Sequence, residues 1–420
     1  MNGTEIFLEL IRGKRRGAGA ALGRGALRLV EFPVIMGVSL RNMAWDLGIL
    51  RPGRSGIPVI SVGNLTVGGT GKTPLVAWLV EWFRTHGHHP AILSRGYGAV
   101  APGKPNDEAL ELAMRLCNGV EFHDGRVSCN DGRFRNQTGT GDRDMVDTPG
   151  ETGDPGGSGK NGRSRDGDIC EELEKTPLLQ NPDRVASVRG IEAGAVGEVD
   201  RIVLDDGFQH RRLARDLEIV LLDATEPFGY GHLLPRGLLR EPVRNLRRVG
   251  RGVIILTRAD RITEPERRKL RRKVRRYAPD AGWAELTQRP TVLIDSAGNR
   301  KPLTELAGRP VVAICGIGNP RAFLDGTLGE CGVIRMDERI FPDHHSWTES
   351  ERKSLEKWIR RLPERPAAIL CTGKDIVRWK GTTELNGVPL LAVQMDLVWL
   401  RGQEELEQRL RDLPGGSTGI

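Results

Sequence analysis

A glycine-rich loop between an apolar strand and a helix constrains this chain more than any other feature. Residues 58–62 (PVISV) are typical of a short buried strand. The loop Gly68-Gly69-Thr70-Gly71-Lys72-Thr73 follows, and residues 75–80 (LVAWLV) predict a helix. Glycines let backbone N–H groups approach phosphate oxygens, and the positive end of the helix favours the same anion. This pattern predicts a nucleotide-binding P-loop.

Two side chains of the loop have the chemistry that a bound nucleoside triphosphate requires. Lys72 would bring its ammonium to the β- and γ-phosphates, and the Thr73 hydroxyl would ligate Mg²⁺. The usual motif begins with a glycine, whereas this chain has Thr66 there. A glycine-rich turn that binds no nucleotide is the alternative, and the order of strand, loop and helix favours the nucleotide.

A second apolar strand ends in two carboxylates. Residues 201–204 (RIVL) are followed by Asp205 and Asp206, and in P-loop proteins an Asp at such a strand end holds Mg²⁺ directly or through water. The next residues, 207–212 (GFQHRR), place an amide, an imidazole and two guanidiniums beside the expected metal. A purely structural role is plausible for any one of these side chains but not for all of them.

Composition narrows the classes of partner. The chain has 420 residues, a formal net charge of +8 and a pI near 9.4, which favours nucleotides, nucleic acid or an acidic membrane surface. The six cysteines include no CxxC pair, which argues against a zinc site and suits a reducing cytoplasm. No stretch of about 18 uninterrupted apolar residues occurs, so a membrane-spanning helix is not expected.

Residues 1–50 mix apolar and basic side chains. Apolar residues between Leu29 and Leu47 fall on helical three-and-four spacing, and Pro33 must break or kink any helix that runs through it, or open a new one. We expect a helix that lies in a membrane interface without crossing it. On these residues alone, a helix packed on the protein's own core is an equal alternative.

A basic helix is predicted over residues 263–277, with nine Lys or Arg between positions 261 and 276. Its charged side is either a solvated surface or a contact with anionic lipid headgroups. No aromatic platform or recognition motif accompanies the charge, so nucleic acid is not the expected partner.

Three regions are expected along the chain. They are an N-terminal helical segment (1–50), a P-loop domain (51–290) and a smaller α/β domain (291–420). Residues 118–175 are rich in Gly, Asp, Arg and Ser and predict a long loop or disordered insertion within the P-loop domain. The loop 341–348 (FPDHHSWT) has three interpretations: metal ligands, a proton-transfer dyad, or a helix cap.

In this order, the motifs resemble those of the tetraacyldisaccharide 4'-kinase family. The matching runs are VGNLTVGGTGKTP, ILSRGYG, NDEALELAMRL, LLQNPDRV, VLDDGFQHRRLARDLEIVLLDA, GHLLPRGLLREP, CGIGNP and FPDHHSWT. They cover roughly residues 55–117 and 176–380, and the DDGFQHR run and the form of the P-loop are highly specific to the family. The resemblance implies a kinase that phosphorylates the 4'-hydroxyl of a lipid A precursor disaccharide with Mg-ATP. It also implies a peripheral enzyme on the cytoplasmic side of the bacterial inner membrane, and we expect a monomer.

The resemblance also assigns individual roles. Lys72 and Thr73 match the phosphate-binding Lys and Thr of the family, and Gln209 and Arg240 match further residues around the phosphates. Its metal-site carboxylates match Asp205, Asp206 and Glu241. Its proposed base matches Asp107, and the histidine that pairs with that base matches His344. The chain departs from the family at Gly373, where Glu is usual, at Asn106, where Gly is usual, and in the insertion after the helix of Asp107.

The rival interpretation is a P-loop switch or partitioning ATPase that acts on a protein partner. Such proteins commonly carry a second lysine early in the loop, and this chain has Thr66-Val67 in that region.

Overall fold

The computed structural model describes residues 3–96, 106–116, 120–123, 126–129, 176–343, 345–379 and 381–415. Within these ranges the helices are α1 (Gly3–Ile11), α2 (Ala18–Asp46), α3 (Lys72–Thr85), α4 (Asp107–Leu116), α5 (Arg184–Glu192), α6 (Glu264–Arg275), α7 (Leu328–Glu330), α8 (Glu349–Arg360), α9 (Gly373–Ile376) and α10 (Gln403–Arg411). Short 3-10 helices cover Gly229–Gly231, Val243–Val249, Ala259–Arg261, Leu303–Leu306 and Val377–Trp379, and a π-helical turn covers Ala322–Thr327.

The strands of the described residues are β1 (Val59–Asn64), β2 (Pro90–Ser94), β3 (Val120–His123), β4 (Arg126–Cys129), β5 (Leu178–Gln180), β6 (Arg201–Asp205), β7 (Leu217–Asp223), β8 (Val253–Thr257), β9 (Gly282–Ile294), β10 (Arg300–Pro302), β11 (Pro310–Cys315), β12 (Ile334–Ile340), β13 (Ala368–Thr372), β14 (Glu384–Leu385) and β15 (Val388–Arg401). Thirteen of them form one path in the order β12-β11-β13-β15-β9-β8-β7-β1-β6-β2-β5-β4-β3.

The sheet consists of two mostly parallel halves joined by an antiparallel pair, and the edge strands β4 and β3 extend the first half in antiparallel pairing. In the first half β1 lies between β6 and β7 and is parallel to both. In the second half β13 is parallel to both β11 and β15. The long strands β9 and β15 run antiparallel to each other and link the halves. Helices and loops cover both faces, which explains why the central strands are continuous apolar runs rather than alternating ones. The predicted α/β fold with a P-loop core is therefore present.

The expected domain boundary at residues 290–291 falls inside β9. The chain also returns to the first half at its C-terminal end, since Leu406 and Leu410 of α10 pack in the same core as α3. Pro290 interrupts the apolar pattern, but over residues 286–291 the described pairing partner of β9 is β15. A proline that lacks an N–H donor is tolerated where one side of a strand is unpaired.

Part of the expected insertion is structured. Strands β3 and β4 lie within residues 118–175, pair with each other and extend the sheet beside β5. The other residues of the predicted insertion lie outside the described ranges.

Helix α2 has an inverted pattern of burial. It continues from Ala18 to Asp46 with Pro33 inside it, so the proline does not end the helix. The polar residues Glu31 and Asn42 are buried, whereas Leu29 is 78% and Phe32 65% exposed. The helix is therefore held to the protein by polar contacts and presents an apolar side outward. In the described part of the chain, no helix is long and apolar enough to cross a bilayer.

Candidate functional site

The glycine-rich loop connects the carboxyl end of β1 to the first residue of α3, Lys72. Gly68 (φ 114°) and Gly71 (φ 86°) have backbone conformations that side chains disfavour. At Gly71 a Cβ atom would also lie 2.9 Å from Nε2 of Gln288. Gly69, Thr70, Lys72 and Thr73 complete the loop and the start of the helix. The conformation leaves the helix N-terminus open at the edge of the sheet where β1 ends.

Asn64 fixes the loop from inside. Its amide Nδ2 donates to Oγ1 of Thr70 at 3.0 Å, and Nζ of Lys72 donates to Oδ1 of Asn64 at 3.3 Å. Arg258 holds the loop from outside, since its Nη2 donates to the carbonyl of Gly69 at 2.8 Å and its guanidinium pairs with Asp223. Arg258 therefore lies against the phosphate loop, a contact that no local sequence pattern indicates.

The two predicted carboxylates lie beside Lys72. Strand β6 pairs with β1 in the register Val62↔Asp205, so both strands end at the same edge of the sheet. Asp206, which adopts a left-handed conformation (φ 51°), lies 3.4 Å from Nζ of Lys72 and accepts hydrogen bonds from Nη1 of Arg240 at 2.8 Å. Burial works to raise the pKa of Asp206, but Lys72 and Arg240 hold it below its ordinary value.

Asp205 has the opposite electrostatic environment. Withdrawal of its carboxylate from water raises its pKa to about 6, with Lys72 opposing the rise and the negative charges of Glu108 and Asp206 adding to it. Its Oδ1 is buried and has no hydrogen-bond partner among the described residues. A desolvated carboxylate oxygen without a partner is costly unless a cation or donor joins it.

A buried arginine fixes the end of strand β6. Arg184, the first residue of α5, donates from Nη2 to the carbonyl of Asp205 at 2.8 Å and from Nη1 to that of Asp206 at 3.3 Å. Its burial lowers the pKa of the guanidinium, and both Asp charges oppose that change. This contact, which no local sequence pattern indicates, positions both carboxylates through their backbone.

The loop that carries Arg240 is attached to the phosphate loop. The amide of Val67 donates to the carbonyl of Leu238, and the amide of Arg240 donates to that of Leu65. Gln209 lies between the two loops, with Nε2 donating to the carbonyl of Asn64 at 2.9 Å. The predicted phosphate-site residues Gln209 and Arg240 are therefore adjacent to the loop.

Glu241 occupies a different environment from the one predicted. Its side chain is fully buried, and Arg248 binds both carboxylate oxygens at 2.6 and 2.7 Å. Asn245, Gln209 and Asn42 of α2 donate to the same carboxylate at 2.7, 3.0 and 3.4 Å. Burial acts to raise the pKa of Glu241, but these donors, led by Arg248, lower it. As a metal ligand it would have to give up these bonds, and its role at the metal stays a prediction.

The residues after Asp206 also divide into two groups. Arg211 turns away from the carboxylates and donates to Asn42 and Asp46 of α2. His210 is partly buried, and desolvation together with the neighbouring arginines, Arg184 first, lowers its pKa to about 4. Of the cluster predicted beside the metal, Gln209 lies at the phosphate loop and Arg211 serves to attach the N-terminal helix.

The predicted base, Asp107, is the first residue of α4. Asn106 caps this helix, with Oδ1 accepting from the amide of Ala109 at 2.9 Å. Oδ2 of Asp107 accepts a hydrogen bond from Nη2 of Arg378 at 2.6 Å, so the residue faces the second half of the sheet. The neighbouring Glu108 acts on the charge of Asp205, which shows that the start of α4 lies near the end of β6. His344 lies outside the described residues.

No group of three or more His, Cys, Asp or Glu side chains in the described residues is arranged to hold a metal ion alone. P-loop metal sites normally combine few protein ligands with phosphate oxygens and water.

These features define a class. A glycine-rich loop after a buried parallel strand, with a lysine at the helix start and carboxylates on the adjacent strand, is the site of a P-loop nucleoside-triphosphate-binding protein. Within this class, the chain belongs to the tetraacyldisaccharide-1-P 4'-kinase family, whose model matches residues 24–109 and 169–414. The family prediction made from the motifs is confirmed, and the chain is an enzyme of the kinase type.

Relatives cover nearly the whole chain. The tetraacyldisaccharide 4'-kinase of Anaeromyxobacter sp. (strain K) is 36% identical over 403 residues, which span 94% of this chain and 92% of that protein. The enzyme of the same name from Thiobacillus denitrificans is 34% identical over 390 residues, or 90% and 95% of the two chains. The crystal structure of LpxK from Aquifex aeolicus in complex with ATP has the same fold, with a TM-score of 0.61, 24% identity and coverage of 92% of this chain and 98% of that one.

Proposed function

We propose that this chain transfers the γ-phosphoryl group of ATP to the 4'-hydroxyl of a tetraacyldisaccharide 1-phosphate, a lipid A precursor. The observation that carries the proposal is the position of Lys72. Its ammonium lies at the start of α3, 3.3 Å from Asn64 and 3.4 Å from Asp206, at the one edge where the loop amides and both strand-end carboxylates meet. A phosphate group there would face a fixed positive charge and the helix N-terminus together.

The phosphate loop and Arg240 bind and orient the nucleotide. In phosphoryl transfer there is little covalent chemistry for the protein to perform, so catalysis depends on alignment and charge stabilisation. Lys72 would contact the β- and γ-phosphates, and Arg240, held by Asp206, would stabilise charge on the transferring group. Gln209 keeps the Arg240 loop in register with the phosphate loop.

The residues present fit a magnesium ion. Mg²⁺ prefers oxygen ligands and usually takes one or two protein groups beside phosphate oxygens and water. Asp205, with its buried and unpartnered Oδ1, and the hydroxyl of Thr73 would hold it, with Asp206 beside them. When bound, the ion would neutralise charge on the phosphates. Glu241 has no part in this proposal as a ligand because its oxygens are bonded to Arg248, Asn245 and Gln209.

Asp107 would accept the proton of the sugar hydroxyl as the new P–O bond forms. A positioned carboxylate that takes up a proton in the transition state is a general base. Asp107 lies on α4, which packs with α3 in the first core, while Arg378 reaches it from the second half. A lipid sugar bound between the halves would meet the base and the phosphate loop together. His344 is assigned to this pair by the family resemblance alone.

Helix α2 would place the site at a membrane surface. Its exposed side carries Leu22, Leu29, Phe32, Leu40 and Met43, and an apolar side of this kind is typical of a helix in the lipid interface. Its opposite side is anchored, since Glu31 accepts from the amide of Leu233 at 2.8 Å and Asp46 pairs with Arg247. The anchoring loop also carries Arg240, so a membrane-bound α2 would hold the site close to an acylated substrate. We propose the cytoplasmic face of the inner membrane as its place.

The test is transfer of ³²P from γ-labelled ATP to tetraacyldisaccharide 1-phosphate in detergent micelles. Radiolabelled lipid that requires both Mg²⁺ and the disaccharide would support the kinase. Hydrolysis of ATP without labelled lipid would refute the proposal and favour a switch ATPase.

A further inference from the structure

Arg378 connects the predicted base to the second half of the molecule. It lies in the 3-10 helix Val377–Trp379, directly after α9, and its side chain is only 8% exposed. Its Nη2 donates to Oδ2 of Asp107 at 2.6 Å across a separation of 271 residues in sequence. A buried, charge-assisted bond of this length restricts the orientation of both side chains.

The second half holds Arg378 in place. Its Nη1 donates to the carbonyl of His345 at 3.3 Å and lies 3.7 Å from Oδ1 of Asp375. Asp375 is fully buried and fixed in turn, because it accepts from the amide of Gly316 at 3.0 Å and the hydroxyl of Thr372 at 2.7 Å. The guanidinium therefore projects from a fixed framework and does not adapt freely to Asp107.

Aromatic packing restrains the same segment. Trp379, which follows Arg378, is buried and stacks on Trp347 with ring centroids 4.4 Å apart. Phe341 packs edge-on against Trp347 at 4.7 Å. Phe341, Trp347 and the Arg378 segment thus form one packed unit that faces α4.

The other end of α4 is also attached across the junction of the halves. Arg115 donates from Nη1 to the carbonyl of Met395 in β15 at 2.9 Å. The helix that carries Asp107 is consequently bonded at its first turn by Arg378 and at its last turn by a strand that links the halves.

We propose that Arg378 is a positioning residue for the phosphoryl-transfer reaction: it orients the Asp107 carboxylate and makes that orientation depend on the second half of the sheet. The proposal rests on the role of Asp107 as the base under the proposed function. The guanidinium is bonded to protein groups of both halves and is nearly buried, so it acts through Asp107 and not as a ligand of the nucleotide.

The expected kinetic effect separates kcat from KM. Misplacement of a reacting group by about 1 Å costs on the order of 100-fold in rate, so Arg378→Met should lower kcat by about 10- to 100-fold. The KM for ATP should not change, because the phosphate loop, Asn64 and Asp206 are untouched. Arg378→Lys should recover part of kcat, since an ammonium retains the charge but not the planar two-donor geometry.

The experiment measures kcat and both KM values for these two variants, for Asp107→Asn and for the double variant Asp107→Asn/Arg378→Met, on the lipid substrate in micelles. If Arg378 acts through Asp107, Arg378→Met has little further effect in the Asp107→Asn background. Arg335→Met is the matched control, because Arg335 pairs with Asp325 and Glu338 on the surface of the same half. Its kcat should match that of the unaltered protein.

The outcomes separate two failures. Normal turnover by Asp107→Asn would refute the proposed base and with it this inference. The inference alone is refuted if Asp107→Asn has low turnover but Arg378→Met has a normal kcat. It is also refuted if Arg378→Met lowers kcat by the same factor in the unaltered protein and in Asp107→Asn. If thermal unfolding shows that Arg378→Met does not fold, Arg378→Lys is compared with the unaltered protein instead. A kcat of Arg378→Lys equal to that of the unaltered protein would overturn the proposal.

Discussion

Replacement of Glu241 by glutamine tests whether this residue is a metal ligand or part of the protein framework. The side chain is 0% exposed, and Arg248 binds both of its oxygens. Glutamine has nearly the same shape, so the substitution removes the charge with little change in volume. It leaves the mostly buried guanidinium of Arg248 without its counter-charge.

The magnitude follows from that buried pair. Removing one partner of a buried ion pair costs about 3–5 kcal/mol, because the remaining charge is uncompensated. Glutamine can still accept one hydrogen bond through its carbonyl oxygen, so we expect the lower end of that range. The free energy of unfolding of Glu241→Gln should therefore fall by about 3 kcal/mol.

The assay combines denaturant unfolding with a magnesium titration of activity. If Glu241 is a framework residue, Glu241→Gln should lower the free energy of unfolding. The Mg²⁺ concentration for half-maximal activity should stay the same. The double variant Glu241→Gln/Arg248→Met should lose much less stability than the sum of the losses in the two single variants, because neither charge is then left unpaired. Unchanged stability together with a large increase in the Mg²⁺ requirement would refute this reasoning and restore Glu241 as a ligand.

Two further predictions concern acid stability and membrane binding. The pKa of His210 is near 4 in the folded protein, because of desolvation and then the neighbouring arginines, against about 6.5 when unfolded. The unfolded state therefore binds the proton first, and stability should be lost as pH falls from about 6.5 to about 4. His210→Gln should remove about 1–2 kcal/mol of that loss, after allowance for partial exposure, and identical pH–stability curves for both proteins would contradict this. On α2, Leu29→Ser and Phe32→Ser should each weaken binding to anionic vesicles by about tenfold in a flotation assay, with Leu29→Met as control, and unaltered binding would argue against the interface helix.

The phosphate site was predictable because its signals are local. A buried parallel strand is an apolar run, the loop requires glycines, and a carboxylate at a strand end is visible in the sequence, as at Asp205. Since β1 and β6 are neighbours and parallel, these two patterns meet at one edge without further information.

The contacts that position these groups were not predictable in the same way. Arg378 and Asp107 meet only because the sheet order brings α4 beside the second half. The sequence around Glu241 does not reveal whether its carboxylate binds a metal ion or Arg248, which lies seven residues later. Helix α2 was ambiguous because its apolar spacing fits either a core or a membrane, and only the burial of Glu31 and Asn42 shows which side faces the protein.

Domain boundaries were also beyond local patterns. The boundary expected at residues 290–291 lies within β9, which pairs with β8 in the first half and with β15 in the second.

In the proposed reaction the phosphate loop binds ATP, and Asp107 accepts the proton of the lipid hydroxyl that is phosphorylated. The decisive experiment measures ³²P transfer to tetraacyldisaccharide 1-phosphate by Lys72→Ala and Asp107→Asn, with ATP binding measured on the same samples. We expect Lys72→Ala to lose both ATP affinity and labelled lipid, whereas Asp107→Asn should bind ATP normally and lose labelled lipid by about 100-fold or more. Labelled lipid formed by Asp107→Asn at the rate of the unaltered protein would contradict the role of Asp107 as the base.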